Sequence, residues 1–240
     1  MKMPATEFRK RLLPYLRFWV IAIVVLLLLF VVLRVASWSR LSQSRRCLTL
    51  VNPWNPVSET GYSPRLVKLQ EGGQADRSCA DALQSLLQDC REAGCSPLLL
   101  SAWRSVDDQL VLYDEAVQAL VSDGMSPEEA EAVTAMKIAR PGRSEHELGL
   151  AFDIVDADYP EEDEAQADTP TARWLLENAW HYGFILRYPP EAEDVTGYGW
   201  HPWHYRYVGA DVAESIHSLD ITLEEYLLLF YSAEAAVVYD

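Results

Sequence analysis

Ser144-Glu-His-Glu-Leu-Gly-Leu-Ala-Phe-Asp-Ile-Val155 is the stretch on which the fold turns. Gly149 separates a polar loop, opened by Pro141 and Gly142, from an apolar run over 150–155 that reads as a strand. Strand side chains alternate between faces. Leu150, Phe152 and Ile154 are therefore expected on the core face, with Ala151, Asp153 and Val155 on the other. A bare carboxylate in such a strand is costly, so Asp153 needs a partner. A zinc ion held by Asp153, His146 and one further histidine would supply it and leave a position open for water. A salt bridge for Asp153, with His146 at the surface, satisfies the same residues.

Outward from this stretch the pattern is mixed. Residues 47–74, with Pro53, Pro56, Pro64 and Gly72-Gly73, read as an extended, wrapping segment. Ala80, Leu83, Leu86 and Leu87 recur at helical spacing within 76–93, and Gly94 ends that helix. Residues 97–102 read as a buried strand and 105–121 as a helix. Ser126-Pro127-Glu128-Glu129 starts another helix that runs to about residue 139. Residues 158–168 read as a solvated acidic loop. Thr169-Pro170 opens a helix that ends at Gly183. Residues 184–188 and 205–208 are strand-like, and Thr222 caps a closing helix over 223–230. This order predicts an α+β fold, a small antiparallel sheet flanked by helices.

Of 240 residues, 20 are Lys or Arg and 36 Asp or Glu. Nine of the bases and one acid, Glu7, lie in 1–46. The remainder is strongly acidic, which argues against nucleic-acid binding. Phe18–Leu33 carries no charge and is bracketed by Arg17 and Arg34. Extended through Trp38, it predicts one N-terminal transmembrane helix over 18–38, behind a cytoplasmic basic segment over 1–17. A cleaved signal peptide is the competing reading. The expected organisation continues with a wrapping segment over 39–74 and a catalytic domain over 75–240. The protein would then sit at the cell membrane as a single-pass protein, with the body extracytoplasmic. Cys47, Cys79, Cys90 and Cys95 all follow the apolar run, and their even number permits two disulfides. No protein partner is predictable.

Ser144-x-His146-x-x-Gly149-x-Ala151-x-Asp153, followed about fifty residues later by Trp203-His-Tyr-Arg-Tyr-Val-Gly209, resembles the VanY-type D-alanyl-D-alanine carboxypeptidases. These belong to the lysostaphin/D-Ala-D-Ala-peptidase/hedgehog fold group. The resemblance extends over about 47–230 and takes in Ser101-Ala-Trp-Arg-Ser105 and Leu223-Glu-Glu-Tyr-Leu227. It implies zinc in a cleft over the sheet, with His146, Asp153 and His204 as ligands. It also implies that Arg104 stabilises charge at the scissile carbonyl and that Ser144 lies near the substrate's terminal carboxylate. Gln109 and Trp203 are expected along the cleft, with Arg143 or Arg140 as further candidates for the carboxylate. The family usually carries Glu three residues before the last ligand, where this chain has His201. His201 is the expected proton acceptor in its place.

The activity implied is removal of a terminal D-Ala from peptidoglycan stem peptides. An L,D-carboxypeptidase acting on tetrapeptides is a second possibility. The missing Glu supports a third, a wall-peptide binding module of weak activity.

Overall fold

A computed structural model describes residues 45–235, with side chains to residue 231. The expected segments 1–17 and 18–38 lie outside the described residues. Among those described, no helix is long and apolar enough to cross a membrane.

Four short antiparallel strands form the central sheet, in the order β3 (Pro97–Ser101), β4 (Ala151–Asp156), β6 (His204–Tyr207), β5 (Phe184–Leu186). β4 lies inside the sheet and all six of its residues are buried. The expected alternation holds: Leu150, Phe152 and Ile154 enter the main apolar core. Leu83, Leu86 and Leu87 of the helix Ala80–Glu92 meet them there, together with Phe184 and Tyr205. Burying an aliphatic side chain of this size stabilises the fold by roughly 1.5–3 kcal/mol.

The opposite face of the sheet is polar, and the hydrogen-bond register aligns it. Ser101 of β3 pairs with Asp153 of β4, and Asp153 pairs with His204 of β6. One row thus crosses three strands. In the next row Arg206 lies beside Ala151. Two further helices, Val106–Ser122 and Pro127–Lys137, pack on each other through Tyr113, Val117 and Ala130. Ser105 and Ser126 cap their N-termini with reciprocal bonds to Asp108 and Glu129, as the second of these sequences predicted.

Three local readings change. Residues 66–76 form an antiparallel hairpin, β1 (Leu66–Lys68) with β2 (Gln74–Asp76), within the segment expected to be merely extended. The first long helix starts at Ala80 and not near Asp76. Asp76 is fully buried and its carboxylate accepts bonds from the Arg65 and Ser78 amides, which holds the turn before the helix. The 158–168 loop is exposed along most of its length, as expected, but it is also locally ordered. It carries a bridge between Asp156 and Tyr159 and a 3₁₀ turn over Glu164–Asp168. Elsewhere, Gly94 ends the first helix as expected, with its amide bonded to the Arg91 carbonyl and that of Cys95 to the Cys90 carbonyl. All four cysteines are free thiols.

Candidate active site

His146 lies on a 3₁₀ turn, Glu145–Leu148, whose N-terminus is capped by Ser144. The turn is closed by Gly149 at φ +68°. A Cβ added there would come within 2.9 Å of the Asp76 amide, so the position has room only for glycine. The His146 Nδ1 bonds to the Ala102 carbonyl at 2.7 Å. That contact assigns the proton to Nδ1 and leaves Nε2 as the electron-pair donor. Nε2 lies 3.0 Å from Asp153 Oδ2. The other carboxylate oxygen, Oδ1, lies 2.9 Å from His204 Nδ1. His204 Nε2 lies 3.6 Å from Glu145 Oε2, beyond hydrogen-bond distance, and both atoms are buried.

The three side chains fit a metal ion. Each is buried, and one donor atom from each falls within 4.8 Å of the other two. Two imidazoles and a carboxylate are the donor set that catalytic zinc takes. The Glu145 carboxylate faces the remaining ring nitrogen of His204, the kind of outer partner that a metal-ligating histidine takes. Burial opposes the Asp153 charge, but His146 and His204 hold its carboxyl well below the usual range. Burial pushes His146 down. On His204 burial has the same sense, and Asp153 and Glu145 overcome it, so its pKa is raised.

Arg104 reaches the same point from the end of β3. Its Nη2 lies 3.3 Å from Asp153 Oδ2 and 3.0 Å from Ser101 Oγ. Gln109 accepts from Arg104 Nη1 at 3.0 Å and donates to the Ala139 carbonyl at 2.7 Å. Gln109 therefore aims the guanidinium as well as lining the pocket. Ser144 Oγ accepts from the His146 amide at 3.3 Å, which leaves its hydroxyl proton free to donate. All eight residues expected at the site border one pocket of about 190 Å³. Arg140 and Arg143 do not: Arg140 pairs with Glu131, and Arg143 donates to the Pro53 carbonyl. Lys137 is the second cation along the pocket.

His201 stacks on Trp203 with ring centres 4.9 Å apart. Its Nε2 is buried and unpartnered. Burial, then the neighbouring His204 and Lys137, push its pKa down to about 4 although Asp153 opposes them. It is thus a neutral imidazole at pH 7.

Two acids went unread in the sequence. Glu145 lies beneath the site, its Oε1 accepting from Arg187 at 2.9 Å and Arg206 at 2.6 Å. Arg187 also grips Glu224 with two bonds, at 2.8 and 2.7 Å. Burial opposes the Glu145 charge, yet the two arginines hold its carboxyl far below the usual range. Glu162, from the ordered acidic loop, borders the pocket. The signal for Glu145 was an acid directly before a candidate ligand. For Glu162 there was none, because its loop has no periodicity.

A family model described as "VanY: D-alanyl-D-alanine carboxypeptidase" matches residues 73–210. A D-alanyl-D-alanine carboxypeptidase of Enterococcus faecalis is 38% identical over 181 residues, 75% of this chain and 65% of that protein. One of Enterococcus faecium is 30% identical over 194 residues, 75% of this chain and 57% of that protein. The chain spans about half to two thirds of the length of these curated relatives. Among solved structures, a variant of the vancomycin-resistance D,D-pentapeptidase VanY in complex with Zn(II) is similar with a TM-score of 0.68 and 37% identity. That likeness covers 76% of this chain and 99% of the other. VanYB in complex with D-alanine-D-alanine matches with the same score and identity, over 75% of this chain and 96% of that one. The family model, these relatives and the site geometry converge: the chain belongs to the VanY family of D-alanyl-D-alanine carboxypeptidases.

Proposed function

We propose that this protein is a zinc-dependent D,D-carboxypeptidase that removes the terminal D-Ala from peptidoglycan stem peptides. It works outside the cytoplasmic membrane, tethered by residues 18–38 with the N-terminus inside. The observation that carries this reading is the convergence of His146, Asp153, His204 and Arg104 on one buried point. Relatives in complex with Zn(II) and with D-alanine-D-alanine support it.

His146, Asp153 and His204 would hold the zinc. Bound there, zinc would polarise the scissile carbonyl and lower the pKa of a water towards ~7. Arg104, braced by Gln109 and Ser101, aims its guanidinium where negative charge grows on the carbonyl oxygen. Ser144 offers its free hydroxyl proton to the substrate's terminal carboxylate, and Lys137 adds positive charge along the same wall. Trp203 and His201 form an aromatic side to the cleft. His201 is a poor choice for sole proton acceptor: a proton on its ring would add a cation beside His204, Lys137 and a metal.

A second reading, L,D-carboxypeptidase, has its own support: the LdcB LD-carboxypeptidase is 35% identical, with a TM-score of 0.59. The purified chain, loaded with zinc, should release D-alanine from a muramyl pentapeptide and lose that activity to a chelator. Release only from the tetrapeptide would replace the D,D reading with the L,D one. Stoichiometric zinc with no release from either peptide would leave a binding module.

A further inference from the structure

We propose that Glu162 is the proton carrier of this site, taking a proton from the attacking water and delivering it to the leaving amine. The inference rests on the hydrolase reading above and supplies the carboxylate that position 201 lacks.

The first support is how the loop is built. Gln166 is fully buried, and its side-chain amide donates to the Tyr159 carbonyl at 2.8 Å and the Glu161 carbonyl at 3.1 Å. Tyr159 donates its hydroxyl to Asp163 at 2.9 Å. Asp163 in turn caps the next 3₁₀ turn through the Ala165 amide. At the other end of the loop, Asp156 binds the Thr171 hydroxyl at 2.6 Å. The residues on both sides of Glu162 are therefore fastened, and Glu162 itself is presented to the pocket.

The second support is elimination among the pocket acids. Asp153 is shared between His146, His204 and Arg104. Glu145 is clamped by Arg187 and Arg206. Among the described residues that border the pocket, Glu162 is the one carboxylate with no hydrogen bond or ion pair. Its side chain keeps contact with solvent at the rim, while its carboxyl feels Asp153, Arg104 and His204.

The third support is charge. Protonating His201 creates a cation next to cations, whereas protonating a carboxylate removes a charge. In hydrolysis, water loses one proton to the Glu162 carboxylate as its oxygen bonds to the carbonyl carbon. The C–N bond then breaks, and the same proton moves from Glu162 to the departing nitrogen. Atoms and charge balance, and Glu162 returns to its carboxylate form.

The test uses the full-length chain and its Glu162→Gln, Glu162→Asp and Glu161→Gln variants. Glu162→Gln should keep its metal content and KM but lose ~10²-fold or more in kcat, the usual share of a general base. Glu162→Asp should recover part of that loss, and Glu161→Gln should match the parent. A second readout needs no substrate. With cobalt(II) in place of zinc, the parent's visible bands should change with pH, and that transition should move or vanish in Glu162→Gln alone. Equal kcat in parent and Glu162→Gln, or an identical cobalt titration in both, overturns the proposal. A parent that hydrolyses neither peptide would overturn the hydrolase reading and the proton-carrier role with it, and the cobalt transition would then show only that Glu162 faces the metal.

Discussion

Asp153 shows how one side chain can be both expensive and indispensable. Buried in the sheet, its charge is tolerable because two imidazoles and a guanidinium share it. Asp153→Asn keeps the shape and removes the charge, so zinc per chain, measured by atomic absorption, should fall by ~10-fold or more under competing chelator. The Glu145–Arg187–Glu224 cluster raises the same issue without a metal. Arg187→Met would leave two buried acids without their shared partner, and removing one member of such a pair costs about 3–5 kcal/mol. Urea unfolding at pH 7 should report that loss. The pH dependence follows from Glu145, whose folded pKa is depressed. Its stabilising contribution is complete above the unfolded value of ~4.3 and declines as pH falls below it towards the folded value. Replacing Arg187 removes the larger of the two arginine contributions and leaves that of Arg206, so the variant's stability should depend less on pH across the acid range. Sequence reading found Asp153 because a lone acid in an apolar strand is conspicuous. Glu145 escaped because its partners lie some 40 and 60 residues away, at positions 187 and 206. Only the tertiary fold brings them together.

The 3₁₀ turn and the strand that follows it act as one device, with Gly149 as the joint. Any side chain there meets the Asp76 amide and must adopt a positive φ. Gly149→Ala should therefore cost about 1–3 kcal/mol in thermal or urea unfolding. It should also weaken zinc retention, because His146 hangs on the same turn. Elements of this kind were legible in proportion to their local signals. The alternation in β4 and the Ser126 cap with Pro127 each had a rule of spacing behind them, and each held. The hairpin over 66–76 and the three- and four-residue strands β5 and β6 are too short for periodicity to fix their ends. The acidic loop is solvated as its composition predicts, but its local order was not legible. Its order comes from Gln166, a buried polar side chain that binds backbone carbonyls, and composition alone cannot reveal that.

At the scale of the whole molecule, charge divides the sequence near its first cysteine. Beyond Cys47 the sequence folds into an acidic body in which even the entering segment is structural. Val51, Leu69 and Ala75 are core residues, and Leu48 packs with Leu223 and Tyr226. Arg206 completes this arrangement: its Nη2 donates to the carbonyls of Cys47 and Thr49 at 3.0 and 2.7 Å. Arg206 stands two residues from His204 on the same face of β6, so the entering chain is latched to the metal strand. This latch dictates where the protein can be cut. A cut before residue 46 would leave both acceptor carbonyls in place and the metal site intact. A nick between Thr49 and Pro53 would strand the buried guanidinium without two acceptors, at about 1–3 kcal/mol each. Fragments 46–240 and 53–240 should therefore differ sharply in melting temperature and in zinc retained, although both keep every pocket residue. Any proteolytic trimming that spares the folded body must respect a boundary only a few residues wide.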